Sequence, residues 1–197
     1  MRRNNPWISI SDLLSSVVLI LLLMFVLASV LPQYSQEAQK REMMSKIEVA
    51  LREYEERGQV KIHLETGTLE FTSVTFPSGS AILTPVAAAA VKDFSSQLKI
   101  YMTENPKMEV LVEGHTDPAI VSEVRNQGGY FENNVQLSTL RAANVRSVLL
   151  QNVGQEFAQR IGVAGYGETR LKNKENPLSE ENRRIEIRIL WNGQDNE

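Results

Sequence analysis

From Leu13 to Leu31 the chain carries no charge, and its only hydroxyl side chains there are Ser15, Ser16 and Ser29. A run of 19 helical residues, at about 1.5 Å each, reaches roughly 28 Å, close to the roughly 30 Å hydrocarbon core of a bilayer. Such a stretch, apolar on every side, has no place on the surface of a water-soluble domain. It either spans a membrane or is a leader. A secretory leader has an apolar region of about 7 to 15 residues and a small-residue cleavage site, and "VLASVLPQY" offers no clean one. A retained anchor is therefore expected. Arg2 and Arg3, with no acid before Asp12, predict a cytoplasmic N-terminus, and Trp7 suits the interfacial belt. The rest of the chain is then outside, in the periplasm of a cell with two membranes.

The 197 residues leave room for one globular domain beyond the anchor. A net charge of −3 argues against nucleic acid as a partner. There is no cysteine, which removes disulfides, thiolate metal sites, a cysteine nucleophile and cysteine-linked lipid. The organisation predicted is a cytoplasmic N-terminus at 1–6, a transmembrane helix at 7–31, a helical linker at 32–58 and a domain at 59–197.

In the linker, Met44, Ile47, Leu51 and Tyr54 recur at 3-4-3 spacing. That is the seam of a coiled coil, hence a parallel dimer stalk, or of a helix lying on a neighbour. After Gly58 the pattern shortens. "VKIHLE" and "TLEFTSVTF" alternate as strands joined by a turn at "ETG". Thr84 and Pro85 open a helix that carries Val91, Phe94, Leu98 and Tyr101. "KMEVLVEG" is a strand, "STLRAANVRSVLLQNVG" a helix capped by Ser138 and closed by Gly154, and "RIGVAGYG" and "NRRIEIRILWN" are two strands. The order strand, strand, helix, strand, helix, strand, strand describes a small α/β (α+β) domain with one mixed sheet and packed helices.

Four stretches, "FPSGSAIL", "VLVEGHTD", "NNVQLSTLRAANV" and "NRRIEIRI", resemble the OmpA-like peptidoglycan-binding family, in the family's order and over about residues 70 to 191. The resemblance implies recognition of the diaminopimelate group of the peptidoglycan stem peptide, which bears an ammonium and a carboxylate. It assigns the ammonium to Asp117 and the carboxylate to Arg141, whose planar fork suits a carboxylate. Thr116, Asn134, Leu137 and Ser138 match positions that shape the pocket. Arg184 reaches the ligand or braces the site, while Arg183 or Arg184 can alternatively pair with surface acids. The run "PAIVSEVRNQGGYFEN" after Asp117 is longer than the loop common in this family. With Gly128 and Gly129 in it, it is expected to act as a lid or to occlude the pocket.

No enzyme is expected. His63 and His115 lack the HExxH spacing of a zinc site, and neither a G-x-S-x-G elbow nor a phosphate loop is present. No metal and no cofactor are predicted.

Asp12 remains to be explained. On a helix, Ser9, Ser15 and Ser16 share its face. Either Asp12 lies among the headgroups, where the helix dipole favours it by about 0.3 to 1 kcal/mol, or it is a turn inside. A carboxylate at mid-membrane costs about 2.5 to 3.5 kcal/mol on insertion scales and normally faces protein or water.

An aspartate-bearing anchor, a helical linker and an OmpA-like domain resemble the layout of the MotB-like stator subunits of ion-driven motors. "NPWISISDLLSSVVLILLLMF" is similar to the anchor of that subunit in the Zorya anti-phage system. The resemblance implies a homodimer inside a pentameric ring of a MotA/ZorA-like multi-span partner. Asp12 then takes up a proton from the periplasmic side and releases it to the cytoplasm. The competing expectation is a passive tether between membrane and wall.

Overall fold

The structure, a computed structural model, describes residues 6–72, 75–77, 79–119 and 131–191. Arg2 and Arg3, on which the expected orientation rests, and the Gly128–Gly129 pair of the expected lid lie outside the described residues. Two compact units are present, Met1–Glu42 and Met43–Glu197.

Helix α1 (Pro6–Glu56) is followed by strands β1 (Val60–His63) and β2 (Thr68–Phe71), helix α2 (Pro85–Glu104), strand β3 (Glu109–His115), helix α3 (Asn134–Val153) and strands β4 (Ile161–Gly165) and β5 (Arg184–Leu190). Short 3-10 helices occupy Gln155–Arg160 and Glu180–Asn182. This is the expected strand and helix order. The first unit holds an apolar stretch, Ile10–Val30, of mean hydropathy 2.9 and wholly exposed, long enough to cross a bilayer. Its serines bond to their own helix: Ser11 Oγ donates to the Trp7 carbonyl, Ser15 Oγ to Ser11 and Ser16 Oγ to Asp12, at 2.8, 2.8 and 2.9 Å. Such back-bonding lets hydroxyls sit in an apolar helix without an unmet donor.

The second unit is a mixed α+β domain. Its five strands lie in the order β1-β2-β5-β3-β4. Only β3 and β4 are parallel, joined through α3; the other neighbours are antiparallel. Side chains alternate across a strand, so Val110 and Val112 of β3 and Ile185, Ile187 and Ile189 of β5 enter one core, with Phe94 and Leu98 of α2 and Val145 and Leu149 of α3.

The last turns of α1 complete that core. Met43, Met44, Ile47 and Leu51 are at most 1% exposed within it, and Tyr54 packs at its edge. The 3-4-3 seam is thus that of a helix lying on a neighbour, namely its own domain. A dimer stalk through Met44, Ile47 and Leu51 would compete with the core that already covers them.

Helix ends follow side-chain chemistry. Thr84 caps α2 by accepting from the Ala87 N–H, with Pro85 in the first turn, and Gly154 closes α3 as expected. The start of α3 differs from the expectation. Asn133, not Ser138, is its cap, accepting from the Gln136 N–H at 2.9 Å. Gln136 in turn accepts the Glu132 N–H at 2.7 Å, a reciprocal arrangement akin to a capping box. Ser138 is therefore inside the helix and free for another task.

Candidate functional site

The site is built where β3 and β4 end together. Gly114 and Gly165 are partners in the parallel ladder, and α3 lies directly on both. A Cβ on Gly114 would fall 2.1 Å from the Ser138 carbonyl oxygen, and one on Gly165 2.0 Å from Thr139 Oγ1. Any other residue at either position would push α3 off the sheet. Ser138, fully buried, fastens the contact: its Oγ donates to the Val135 carbonyl and accepts the Gly167 N–H, both at 2.9 Å. Gly167 holds φ +52° there, a left-handed conformation that glycine adopts without strain. One turn further along α3 comes Arg141.

Arg141 is buried at 6% exposure. Its Nε donates to the Ser80 carbonyl at 2.9 Å, and its guanidinium lies 5.1 Å from the centre of the Phe76 ring. Both contacts come from "FPSGSAIL", which explains why that motif accompanies "LSTLRA". Burial first, and then the positive charge of Arg183, pull the Arg141 pKa down to about 10, while Asp117 opposes them. Among the described residues Arg141 has no carboxylate partner. Burying a cation is costly unless an anion or hydrogen-bond acceptors compensate it.

Asp117 follows β3 and is 7% exposed. Its Oδ1 accepts the Ala119 N–H at 3.3 Å, and its Oδ2 pairs with Arg183 Nη1 at 2.7 Å. Arg183 also donates from Nη2 to Glu180 Oε1 at 3.0 Å. Asn134 Nδ2 donates to the Ala119 carbonyl at 3.1 Å, tying the first residue of α3 to the loop that leaves Asp117. Thr116 is buried, its N–H bonded to the Gly167 carbonyl at 2.9 Å and its Oγ1 without a hydrogen-bond partner among the described residues. Leu137 packs with Ala81 and Phe131 in a small separate cluster.

Six of the seven residues singled out in the domain therefore gather around the β3 end and the start of α3. Arg184 does not join them. It pairs with His115 in the β3–β5 register, and its Nε donates to Glu186 at 2.6 Å. Arg183, its neighbour, is the guanidinium at Asp117.

Arg184 belongs to a polar network on the sheet face away from the core. Glu113, 2% exposed, accepts from the Tyr166 hydroxyl at 3.0 Å, with Arg170 and Arg188 at 3.8 and 3.7 Å. His115 is also 2% exposed, with neither ring nitrogen hydrogen-bonded among the described residues. Burial, then Arg184, lower its pKa to about 4 against the pull of Glu186. Glu113, His115 and Glu186 bring their ligating atoms within 4.8 Å of one another. Three guanidinium groups already balance those carboxylates, so the cluster reads as an ion-pair network.

Asp12 lies in the other unit, exposed on α1 near the start of Ile10–Val30. Its carboxylate has no partner among the described residues.

Comparison with known proteins fits this geometry. Residues 75–184, more than half of the chain, match the OmpA family. Among solved structures, a MotB-like protein from Desulfovibrio vulgaris is similar at 21% identity and a TM-score of 0.57, covering 80% of this chain and 97% of that one. The cell wall anchor of the type VI secretion system of Pseudomonas aeruginosa follows at 21% identity and a TM-score of 0.59, covering 74% and 96%. The periplasmic domain of Helicobacter pylori MotB gives 20% identity and a TM-score of 0.50, covering 65% and 75%. At these identities the likeness is one of fold. No curated protein matches the chain significantly by sequence.

Proposed function

Because the chain belongs to the OmpA family, we propose that its domain grips peptidoglycan through the diaminopimelate of the stem peptide, while α1 holds it in the bacterial inner membrane as a stator subunit. The observation that carries wall binding is Arg141, a buried guanidinium without a carboxylate partner among the described residues, beside the buried Asp117. A zwitterion supplies the missing anion to Arg141 and an ammonium to Asp117. Thr116 Oγ1, buried and without a hydrogen-bond partner among the described residues, is a further polar contact, and Asn134, Leu137 and Ser138 hold the α3 end in place. Arg184 braces from the opposite face of the sheet.

The membrane half of the reading rests on Asp12. A chain with one span and one acid cannot enclose a proton path. Asp12 therefore works against a MotA/ZorA-like multi-span partner, a pentamer around a homodimer of this chain, with the N-terminus cytoplasmic and the domain periplasmic. The similarity of the anchor to the Zorya stator subunit favours the role of ZorB, in which proton flow past Asp12 drives an anti-phage response. A flagellar stator role uses the same parts.

A passive tether is the second reading, supported by a fold shared with a cell wall anchor. Asp12→Asn separates the two. It abolishes the cellular activity of a proton-carrying stator while leaving membrane insertion and partner assembly intact; full activity would leave the tether. Wall binding is tested by sedimentation of the detergent-solubilised chain with peptidoglycan. Asp117→Ala and Arg141→Ala should each release it into the supernatant without loss of folded signal by circular dichroism.

A further inference from the structure

Residues 166–183 join β4 to β5 over the sheet face away from the core, and no core side chain holds them there. None belongs to the hydrophobic core, and no residue between Gly167 and Asn182 is buried. The second half of the segment is built on itself. Asn182, fully buried, donates from Nδ2 to the Asn173, Asn176 and Pro177 carbonyls at 3.0, 3.3 and 2.8 Å, and its Oδ1 accepts the Asn173 N–H at 2.8 Å. The first half is tied to the sheet by polar and charged groups. Lys172 Nζ reaches both carboxylate oxygens of Glu70, at 2.7 and 2.5 Å, and the Tyr166 hydroxyl donates to Glu113 at 3.0 Å, with Arg170 3.8 Å from the same carboxylate.

Two of the sheet's carboxylates depend on the segment in turn. Glu70, Glu186 and Glu113 stand opposite one another on β2, β5 and β3, and like charges directly opposite destabilise a sheet. Glu186 is met from within the sheet by Arg184, and Glu113 has Arg188 of the sheet at 3.7 Å. Glu70, 4% exposed, has Lys172 and, at 3.5 Å, the half-exposed His63. Burial pushes the Glu70 pKa up, yet the hydrogen bond and charge of Lys172 bring it below its ordinary value.

We propose that residues 168–181 are a strap that swings off the sheet while the domain stays folded, and that Lys172 on Glu70 is its latch. The ends of the segment stay fixed: the Gly167 carbonyl accepts the Thr116 N–H at 2.9 Å, and Arg183 holds Asp117 at 2.7 Å. Opening therefore bares the carboxylate row and leaves the end of β3 undisturbed. A contact held by charge yields to salt, whereas apolar packing does not.

The chain has no cysteine, so Glu175→Cys on the strap and Lys99→Cys on α2, both at exposed positions, can carry the only two spin labels. Double electron–electron resonance then reads the distance between them in the full chain in detergent, diluted with unlabelled chain. With no further change, one distance should dominate at low salt. A second, longer one should grow several-fold on going from about 0.05 M to about 1 M sodium chloride, where the screening length falls to about 3 Å. Glu70→Gln and Lys172→Gln should each raise the longer share about tenfold or more, the loss of a charge-assisted hydrogen bond. Their combination should open the strap no further than either alone, because each removes the same pair. Arg170→Gln, whose guanidinium is 55% exposed, should open it less. One unchanged distance at high salt and in both single variants overturns the latch, and so does additive opening in the combination. Loss of the folded signal by circular dichroism together with the longer distance means that strap and domain open as one, which also overturns it.

Discussion

The two ends of α1 are made of similar residues and meet opposite fates. Between Leu13 and Val30 every large apolar side chain is exposed, whereas Met43, Met44, Ile47 and Leu51 are sealed in the domain core. The difference is angular. The first stretch is apolar all round, so no single protein surface could cover it, and lipid is the solvent that suits it. The second has one apolar stripe amid Lys46, Glu48, Arg52 and Glu53, and one neighbouring surface is enough. A helix long enough to cross a membrane can thus also be a structural part of the domain beyond it.

The strongest way to break this comparison is truncation. A chain starting at Gln59 lacks four fully buried core residues and should fail to fold, whereas one starting at Met43 retains the compact unit and should melt cooperatively. Circular dichroism of the two decides it. Equal melting would mean that the α1 stripe is dispensable. Next in size, Leu51→Ala should destabilise the domain by about 2 to 5 kcal/mol in urea titration. Leu21→Ala in the exposed stretch should leave the midpoint unchanged.

A buried polar group behaves differently from a buried apolar one, and His115 measures by how much. Its folded-state pKa near 4 lies below the unfolded value of 6.5, so folding is favoured fully above pH 6.5. That advantage is lost as the pH falls towards 4 and levels off below it. The difference amounts to about 3 kcal/mol at most, and His115→Gln should remove that part of the pH slope in urea titrations. The smallest loss of stability is expected at Asn133. Asn133→Ala should cost about 1 kcal/mol, and Ser138→Ala should cost more than a cap would, because Ser138 fastens α3 to Gly167.

Much of this was legible in the residues themselves. Thr84, Pro85 and Gly154 announce their helix ends by chemistry that acts locally, and the order of strands and helices follows from hydrophobic period. Asp117 and Arg141 were singled out through motif resemblance, and both are buried near the end of β3 and the first turns of α3. What escaped depends on partners distant in sequence. A 3-4-3 stripe reads the same whether its cover is a second copy or the chain's own sheet. In "NRR", successive side chains of an extended strand face opposite ways, and only the pairing of Arg184 with His115 decides which arginine turns to Asp117. The Asn133 cap was within reach, since Gln136 three residues later completes a recognisable start signal; Ser138 drew attention away from it by being a residue of the same capping type.

The position of β3 has a mechanical meaning. Asp117 hangs from the end of a strand bonded on one side to β5 from Glu109 to His115 and on the other to β4 from Val110 to Gly114. A pull entering at Asp117 along that strand loads both ladders in shear, so their hydrogen bonds must yield together and not one after another. Under the proposed wall binding, Arg141 would pass its share into α3, seated on two glycines with no side chain between to give way. Gripping a rigid mesh as proposed, the domain would be stiff in the direction of the grip.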